Sequence, residues 1–305
     1  MQAQGPDVSA INAFYRNANV SQYVTQLFTA NTPLTSSTNS SARNWQNDSD
    51  SGYVRNEVAE RAMARIIEIV TLGKDTSSAE TSTTVSESFG HITGATGTSG
   101  ADTLTMDTRS VYGIDMGAGD DVITARSDRV ANISGGAGND TFNISTDVAN
   151  GIHGDDGDDT INISGKLVLD VDGGSGDDII KVAADTIRGV TGGAGNDTMT
   201  LEGNRIYASG GTGDDTVTIT QTGRNAVAEY GFAKGDGSDT ITSNGALSIR
   251  FSGLTDKDVE VSVSGNMLTA KVAGSDDQIS LTLTDGDASN FSWTLDNGNY
   301  VLKVG

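Results

Sequence analysis

The sequence predicts a mainly β fold: a parallel β-solenoid of 19-residue coils, with a small helical region before it and an antiparallel β cap after it. Three observations predict this. First, an aspartate ends a turn at Asp102, Asp121, Asp140, Asp159, Asp178, Asp197, Asp215 and Asp239, at intervals of 19, 19, 19, 19, 19, 18 and 24 residues. A sustained period of this size marks a solenoid, whose units bury apolar surface only against their neighbours. Second, residues after each turn alternate apolar and polar, as in Thr141-Phe142-Asn143-Ile144. A half-buried strand requires that alternation. Third, the turn is rewritten in nearly the same residues: GGAGND from Gly135, GGSGDD from Gly173, GGAGND from Gly192 and GGTGDD from Gly210. Nineteen residues hold two short strands and two turns. At ~3.3 Å per residue, one full coil returns the chain above its starting point where a single hairpin does not.

The elements follow in order. In residues 1–75, Ile11, Phe14, Tyr15, Ala18, Tyr23, Val24, Leu27 and Phe28 fall at helical spacing. Val54, Val58, Met63, Ile66, Ile67 and Val70 share one face of a second helix, which Gly73 closes. Two amphipathic helices alone cannot hide these stripes. They either dock on the first coil as a cap or pack between subunits, so the region is read as one of anchoring or assembly. Residues 76–96 are rich in Ser and Thr and read as a linker. The solenoid spans 97–242. Residues 243–305 break the period. Runs such as Val259-Glu260-Val261-Ser262-Val263 and Met267-Leu268-Thr269-Ala270-Lys271-Val272, joined at Ser264-Gly265-Asn266, predict antiparallel strands that cover the last coil. Phe291, Trp293, Tyr300 and Leu302 belong to this cap.

Composition limits the function. The 305 residues include 41 acidic and 19 basic side chains, a formal charge of -22. This excludes non-specific binding to nucleic acid or anionic lipid, which needs basic surface, and points to cations. There is no cysteine, hence no disulfide framework or thiolate site. No apolar run approaches the ~20 residues of a membrane span. The first residues, MQAQGPDVSAINAFYRNANV, lack the basic start and apolar core of a secretory signal peptide. His-Glu-x-x-His, G-x-S-x-G and the phosphate-binding G-x-x-x-x-G-K-[ST] do not occur, and the two histidines are His91 and His153. A zinc protease or a lipase-type nucleophile is therefore unsupported. The reading is non-enzymatic. A polysaccharide-cleaving β-helix, which needs only two carboxylates, stays as a minor alternative.

The turns carry the chemistry. Glycine supplies positive φ and close backbone approach. Coils stacked ~4.8 Å apart place the aspartates in a ladder of like charges, which repel by ~1 kcal/mol per pair even in water. A divalent cation between coils reverses the sign. Calcium takes six to eight oxygens, carboxylates and carbonyls included, in irregular geometry.

These turns resemble the G-G-x-G-x-D-x-U-x nonapeptide of RTX (repeats-in-toxin) proteins, whose fold is the calcium-binding parallel β-roll. The resemblance covers residues 97–242. It implies that the Asp carboxylate and the carbonyls of the first, third and fifth turn residues bind calcium between coils. Carried over, the ligands are Gly135, Ala137, Asn139 and Asp140; Gly154, Asp156, Asp158 and Asp159; Gly173, Ser175, Asp177 and Asp178; Gly192, Ala194, Asn196 and Asp197; and Gly210, Thr212, Asp214 and Asp215. Gly117, Gly119, Asp120 and Asp121 form a near match, Asp239 follows an insertion, and Asp102 lacks the glycine pair. The family repeats its motif every nine residues, at both turns of a coil. Here it occurs once per coil, so one column of about five to seven calcium ions is expected, along one edge.

The C-terminal flank, with Phe251-Ser252-Gly253-Leu254-Thr255, resembles the run that follows RTX repeats, where the family carries an uncleaved type I secretion signal. The resemblance therefore implies export without an N-terminal signal peptide. The expected protein is a secreted, calcium-dependent structural component of the bacterial cell surface, self-assembling as in RTX-type surface layers. The alternative is an adhesin or matrix protein that binds cell-surface glycan or lipopolysaccharide.

Overall fold

The structure is a computed structural model that describes residues 81–86 and 90–305. The predicted helical region 1–75 lies outside the described residues. The strands are β1 (Thr81–Ser86), β2 (His91–Thr93), β3 (Asp102–Asp107), β4 (Ser110–Asp115), β5 (Val122–Ala137), β6 (Thr141–Asp156), β7 (Thr160–Ser175), β8 (Ile179–Ala194) and β9 (Thr198–Thr212). Then come β10 (Thr216–Gln221), β11 (Val227–Ala233), β12 (Ser238–Ser243), β13 (Leu247–Ser252), β14 (Val259–Ser264), β15 (Met267–Val272), β16 (Gln278–Leu283), β17 (Phe291–Asp296) and β18 (Asn299–Val304).

The chain forms the predicted solenoid of about nine coils, followed by antiparallel strands. Each of β5 to β8 is a 16-residue ribbon that makes most of one coil. Successive ribbons pair in parallel with residue n opposite n+19, as in Phe142↔Ile161 and Ile161↔Ile180. The period read from the sequence is thus the pairing register itself.

Inward side chains stack in columns. Ile123, Phe142, Ile161, Ile180, Met199 and Val217 form one, and Val130, Ala149, Val168, Ile187 and Ile206 another, all buried. Each large aliphatic so buried contributes about 1.5–3 kcal/mol, and every coil repeats the set.

The parallel ladder starts before residue 97. The span read as a linker, 76–96, carries β1 and β2, which pair in parallel with β3 and β4 and extend the ladder one coil earlier. The 18-residue interval has a local cause. Residues Gly113, Asn132, Gly151, Asp170 and Gly189 occupy one position of successive coils at φ 67°, 52°, 67°, 53° and 71°. The next coil omits that left-handed residue, and the register shifts between Arg188 and Val190.

The cap closes the two faces differently. On one, β16 adds in parallel to β12, and β15 and β14 follow antiparallel. On the other, β18 adds antiparallel to β13 and pairs with β17. Trp293 packs against Phe251 at 5.5 Å and Tyr300 at 6.5 Å between ring centres, and Leu302 is buried. Phe291 is exposed and is not part of this core. Arg250 ties the cap to the last full coil through Glu229 at 2.6 Å and Asp296 at 2.8 Å.

Candidate metal centre

All eight turn aspartates face inward and are 1 % exposed. Their backbones explain why. In every turn but that of Asp102 the second and fourth residues have left-handed φ, for example Gly136 at 107° and Gly138 at 128°. Such angles cost a side chain but not glycine, and they curl the turn so that the sixth residue points back under it. Asp155 takes the second position in its turn at φ 78°, a conformation aspartate tolerates better than most residues.

The first glycine has a different task. A Cβ on Gly154 would lie 2.0 Å from Asp159 Oδ2 and 2.3 Å from the Gly173 carbonyl oxygen. On Gly173 it would lie 2.2 Å from Asp178 Oδ2 and 2.3 Å from Gly192 O. The first residue is therefore bare because a carboxylate oxygen and the next coil's carbonyl oxygen converge there.

The two oxygens of each carboxylate have separate fates. Oδ1 accepts the backbone N–H of the equivalent aspartate one coil earlier. Asp140 Oδ1 takes Asp121 N–H at 2.7 Å, Asp178 Oδ1 takes Asp159 N–H at 2.7 Å, and Asp215 Oδ1 takes Asp197 N–H at 2.8 Å. Oδ2 of Asp121, Asp140, Asp159, Asp178, Asp197 and Asp215 is buried and has no hydrogen-bond donor. Buried polar atoms are nearly always satisfied, so six alike in one row point to a shared missing partner. No Lys or Arg occurs in residues 134–140, 153–159, 172–178, 191–197 or 209–215, so these turns contribute no cation of their own.

Burial, reinforced by neighbouring carboxylates, pushes Asp121, Asp159 and Asp197 up to about 7 and Asp140 and Asp178 up to about 6. The backbone N–H bond to Oδ1 works against this rise without cancelling it. Asp215 is raised for the same first cause. Asp239, also buried, reaches about 7 but differs in geometry. Its Oδ2 accepts the Tyr230 hydroxyl at 2.7 Å. Burial and the adjacent Asp239 carboxylate hold the Tyr230 phenol well above its ordinary value, so the phenol keeps its proton and donates it.

The predicted carbonyl ligands divide. Carbonyls of the first residues Gly154, Gly173 and Gly192 lie beside the open Oδ2 row. Carbonyls of the third residues Ala137, Asp156, Ser175, Ala194 and Thr212 each accept an N–H from the preceding coil, at 2.7–2.8 Å, and keep one lone pair. In one turn the alignment is corrected. Asp115 pairs with Ser134 and Ala118 with Ala137, so Gly117 and Gly119 match the curled Gly136 and Gly138. Met116 and Ala118 hold the first and third positions. At the start of the ladder Gly97, not Thr98, is the first residue, since a Cβ there would meet Asp102 Oδ2 at 2.8 Å. Asp102 is a full rung, its N–H donating to Asp121 Oδ1 at 2.6 Å.

Sequence reasoning missed a second ladder. The exposed fifth residues accept N–H bonds in the opposite direction: Asp120 Oδ1 from Asn139 at 2.8 Å, Asn139 Oδ1 from Asp158 at 3.0 Å, Asp158 Oδ1 from Asp177 at 2.9 Å, and Asp177 Oδ1 from Asn196 at 2.7 Å. Its signal was present. From Asp120 to Asp214 the fifth residue is Asp or Asn, either of which accepts. The sixth is always Asp, which an acceptor role alone does not demand.

The donor set is all oxygen: one carboxylate atom per coil and adjacent carbonyls. That suits a hard cation such as calcium, which tolerates irregular geometry, better than a soft or imidazole-seeking metal. No family model matches this chain, and no curated protein matches it.

Proposed function

We propose that the chain is an RTX-type calcium-ordered β-roll acting as a secreted structural protein of the bacterial cell surface. One observation carries the reading: six buried carboxylate oxygens lie in register without a donor, in turns that hold no Lys or Arg. Asp121, Asp140, Asp159, Asp178, Asp197 and Asp215 would hold the ions, with first-residue carbonyls as partners. Bound calcium supplies charge neutralisation between coils, and its binding energy then becomes folding energy. Sites with dissociation constants of about 0.1–1 mM load outside the cell and stay empty in the cytosol. The roll would therefore pass through export unfolded and set outside. The six rungs share one chemical setting. Acid–base catalysis instead needs carboxyl groups whose environments differ, which supports a non-enzymatic role. Residues 1–75 would supply anchoring or self-association.

The test is a melt of the full chain in EDTA and in millimolar calcium, followed by circular dichroism and light scattering. Calcium at about ten times its dissociation constant stabilises by about 1.4 kcal/mol per site. Six sites therefore rival a domain's typical 5–15 kcal/mol. The repeat is expected to lose its cooperative transition in EDTA and to assemble when calcium is restored. Superimposable curves would reject the reading.

A second reading, a glycan-binding adhesin, has one feature in its favour. An open groove of about 450 Å³ runs across five coils, lined by Thr124, Asn143, Asn162, Lys181, Thr200 and Glu202 among others. Retention of a calcium-loaded monomer on a glycan array, lost on Asn162→Ala, would select it.

A further inference from the structure

The row of open carboxylate oxygens is finite, and both ends are closed by the chain itself. At the first rung, Asp102 Oδ2 accepts the Thr98 N–H at 2.5 Å. At the last, Asp239 Oδ2 accepts the Tyr230 hydroxyl, whose oxygen in turn accepts the Gly210 N–H at 2.8 Å. One phenol thus matches a buried acceptor with a buried donor. No carboxylate follows in register on either side, since Thr81 pairs with Asp102 and Ile279 with Asp239.

The coil around Tyr230 is shaped for this. In most coils an Ile or Val fills the buried column to which Tyr230 belongs, as do Ile133, Ile152, Val171 and Val190. The residue paired with Tyr230 on the preceding coil is Ala208. A small side chain beside a large one makes room for the ring, which is fully buried. Pairing between these two coils stops at Ser209↔Gly231, and the next N–H, that of Gly210, is the one the phenol takes. The coil also carries the 24-residue interval between Asp215 and Asp239.

We propose that Tyr230 is an internal plug that ends the cation column, making Asp239 a structural end rung and leaving Asp121 to Asp215 as the six open carboxylates. The proposal rests on the calcium reading above. A cation at Asp239 Oδ2 would have to displace the phenol and would then face the positive end of the Gly210 N–H, whereas the six inner rungs present an unmatched oxygen. Tyr230 acts as a positioning residue: it sets where the column stops and ties its own coil to the neighbouring one through Gly210.

The experiment counts calcium bound per full-length chain, by equilibrium dialysis and elemental analysis, for the wild type, Asp215→Asn, Asp239→Asn and Tyr230→Phe. Each is also melted in EDTA and in calcium. Asp215→Asn is expected to lower the count. Asp239→Asn and Tyr230→Phe are expected to keep it and to lower the melting temperature by the same amount with and without calcium. Should Asp239→Asn fail to fold, Tyr230→Phe, which keeps the ring, carries the same test. A count that falls in either end-rung variant, or stays unchanged in Asp215→Asn, overturns the plug while leaving calcium binding intact. A wild-type chain that binds no calcium overturns the calcium reading and the plug with it.

Discussion

Each coil turns twice, and the two turns solve the same geometric problem in opposite ways. On the edge without the glycine motif, a hydroxyl closes the turn from within. Thr108 donates to Ser110 O at 3.4 Å, Ser127 to Arg129 O at 3.0 Å, and Thr146 to Val148 O at 3.1 Å. Its charges pair at the surface, as Lys166 does with Asp147 at 2.8 Å. Among the described residues, no buried side-chain oxygen or nitrogen on that edge lacks a hydrogen-bond partner. The glycine–aspartate edge curls more tightly, buries its aspartates and leaves one oxygen per coil unmatched. One edge is complete when the chain is folded. The other leaves a row of oxygens that, on the proposed reading, calcium completes. On that reading ligand dependence is a property of one edge rather than of the whole solenoid.

The largest effect expected from one substitution on that edge is at the first glycine. Gly154→Ala places a methyl 2.0 Å from Asp159 Oδ2 and 2.3 Å from Gly173 O. Neither the backbone carbonyl nor the carboxylate held at Oδ1 can retreat without breaking the ladder. Overpacking of this kind costs about 3 kcal/mol, the upper end of its usual range. A smaller calcium count should accompany it, because the same methyl displaces both ligand oxygens. A melting temperature within a degree of the wild type would show that the convergence of oxygens has no energetic weight.

Much of this was legible in the sequence. The 19-residue spacing gave the pairing register, and the alternation after each turn placed Phe142, Ile161 and Ile180 inside. The burial of Asp102 was not legible, because its turn, Gly97-Thr98-Ser99-Gly100-Ala101-Asp102, lacks the glycine pair. Nor was the Tyr230–Asp239 bond, because register across the 24-residue interval depends on where the inserted residues bulge, and spacing alone does not say. The two opposed ladders were hidden for a different reason. Asp and Asn are common in turns whatever they do, so their recurrence at the fifth position looked like turn preference until the N–H partners were visible.

A moderate effect separates the edges by pH. A carboxyl whose folded-state value lies above its unfolded value stabilises the fold while protonated. That contribution is full below the unfolded value and is lost as pH rises through the folded one. The open-row aspartates reach about 6 to 7. In EDTA the roll should therefore gain stability as pH falls from 8 to 5, the gain setting in near pH 7 and steepening below about pH 6 as the folded-state carboxyls fill while the unfolded ones stay ionised. A gain of about 1 kcal/mol would move the melting temperature by 2–4 °C. In saturating calcium the slope reverses, since protons compete with the ion for Oδ2. Asp178→Asn sharpens the test: it removes a buried charge and keeps the Oδ1 acceptor. It should stabilise the roll in EDTA at pH 8 and destabilise it in calcium. A variant that shifts melting in the same direction under both conditions would break the proposed division between the edges.

The smallest expected effect is the control on the other edge. Thr146→Ala removes the hydroxyl that accepts no ligand and donates only to Val148 O. The loss is that of one ordinary hydrogen bond, about 0.5–1.5 kcal/mol. The carbonyl it leaves sits at a turn where water can replace the donor, which places the cost at the low end. Its diagnostic feature is equality: the same drop in EDTA and in calcium, at pH 5 and at pH 8. Paired melts of the variant and the wild type under those four conditions check it. If the Thr146→Ala penalty grew with calcium, the two turns of a coil would be energetically coupled through the 16-residue ribbon, and the self-contained edge would not be self-contained.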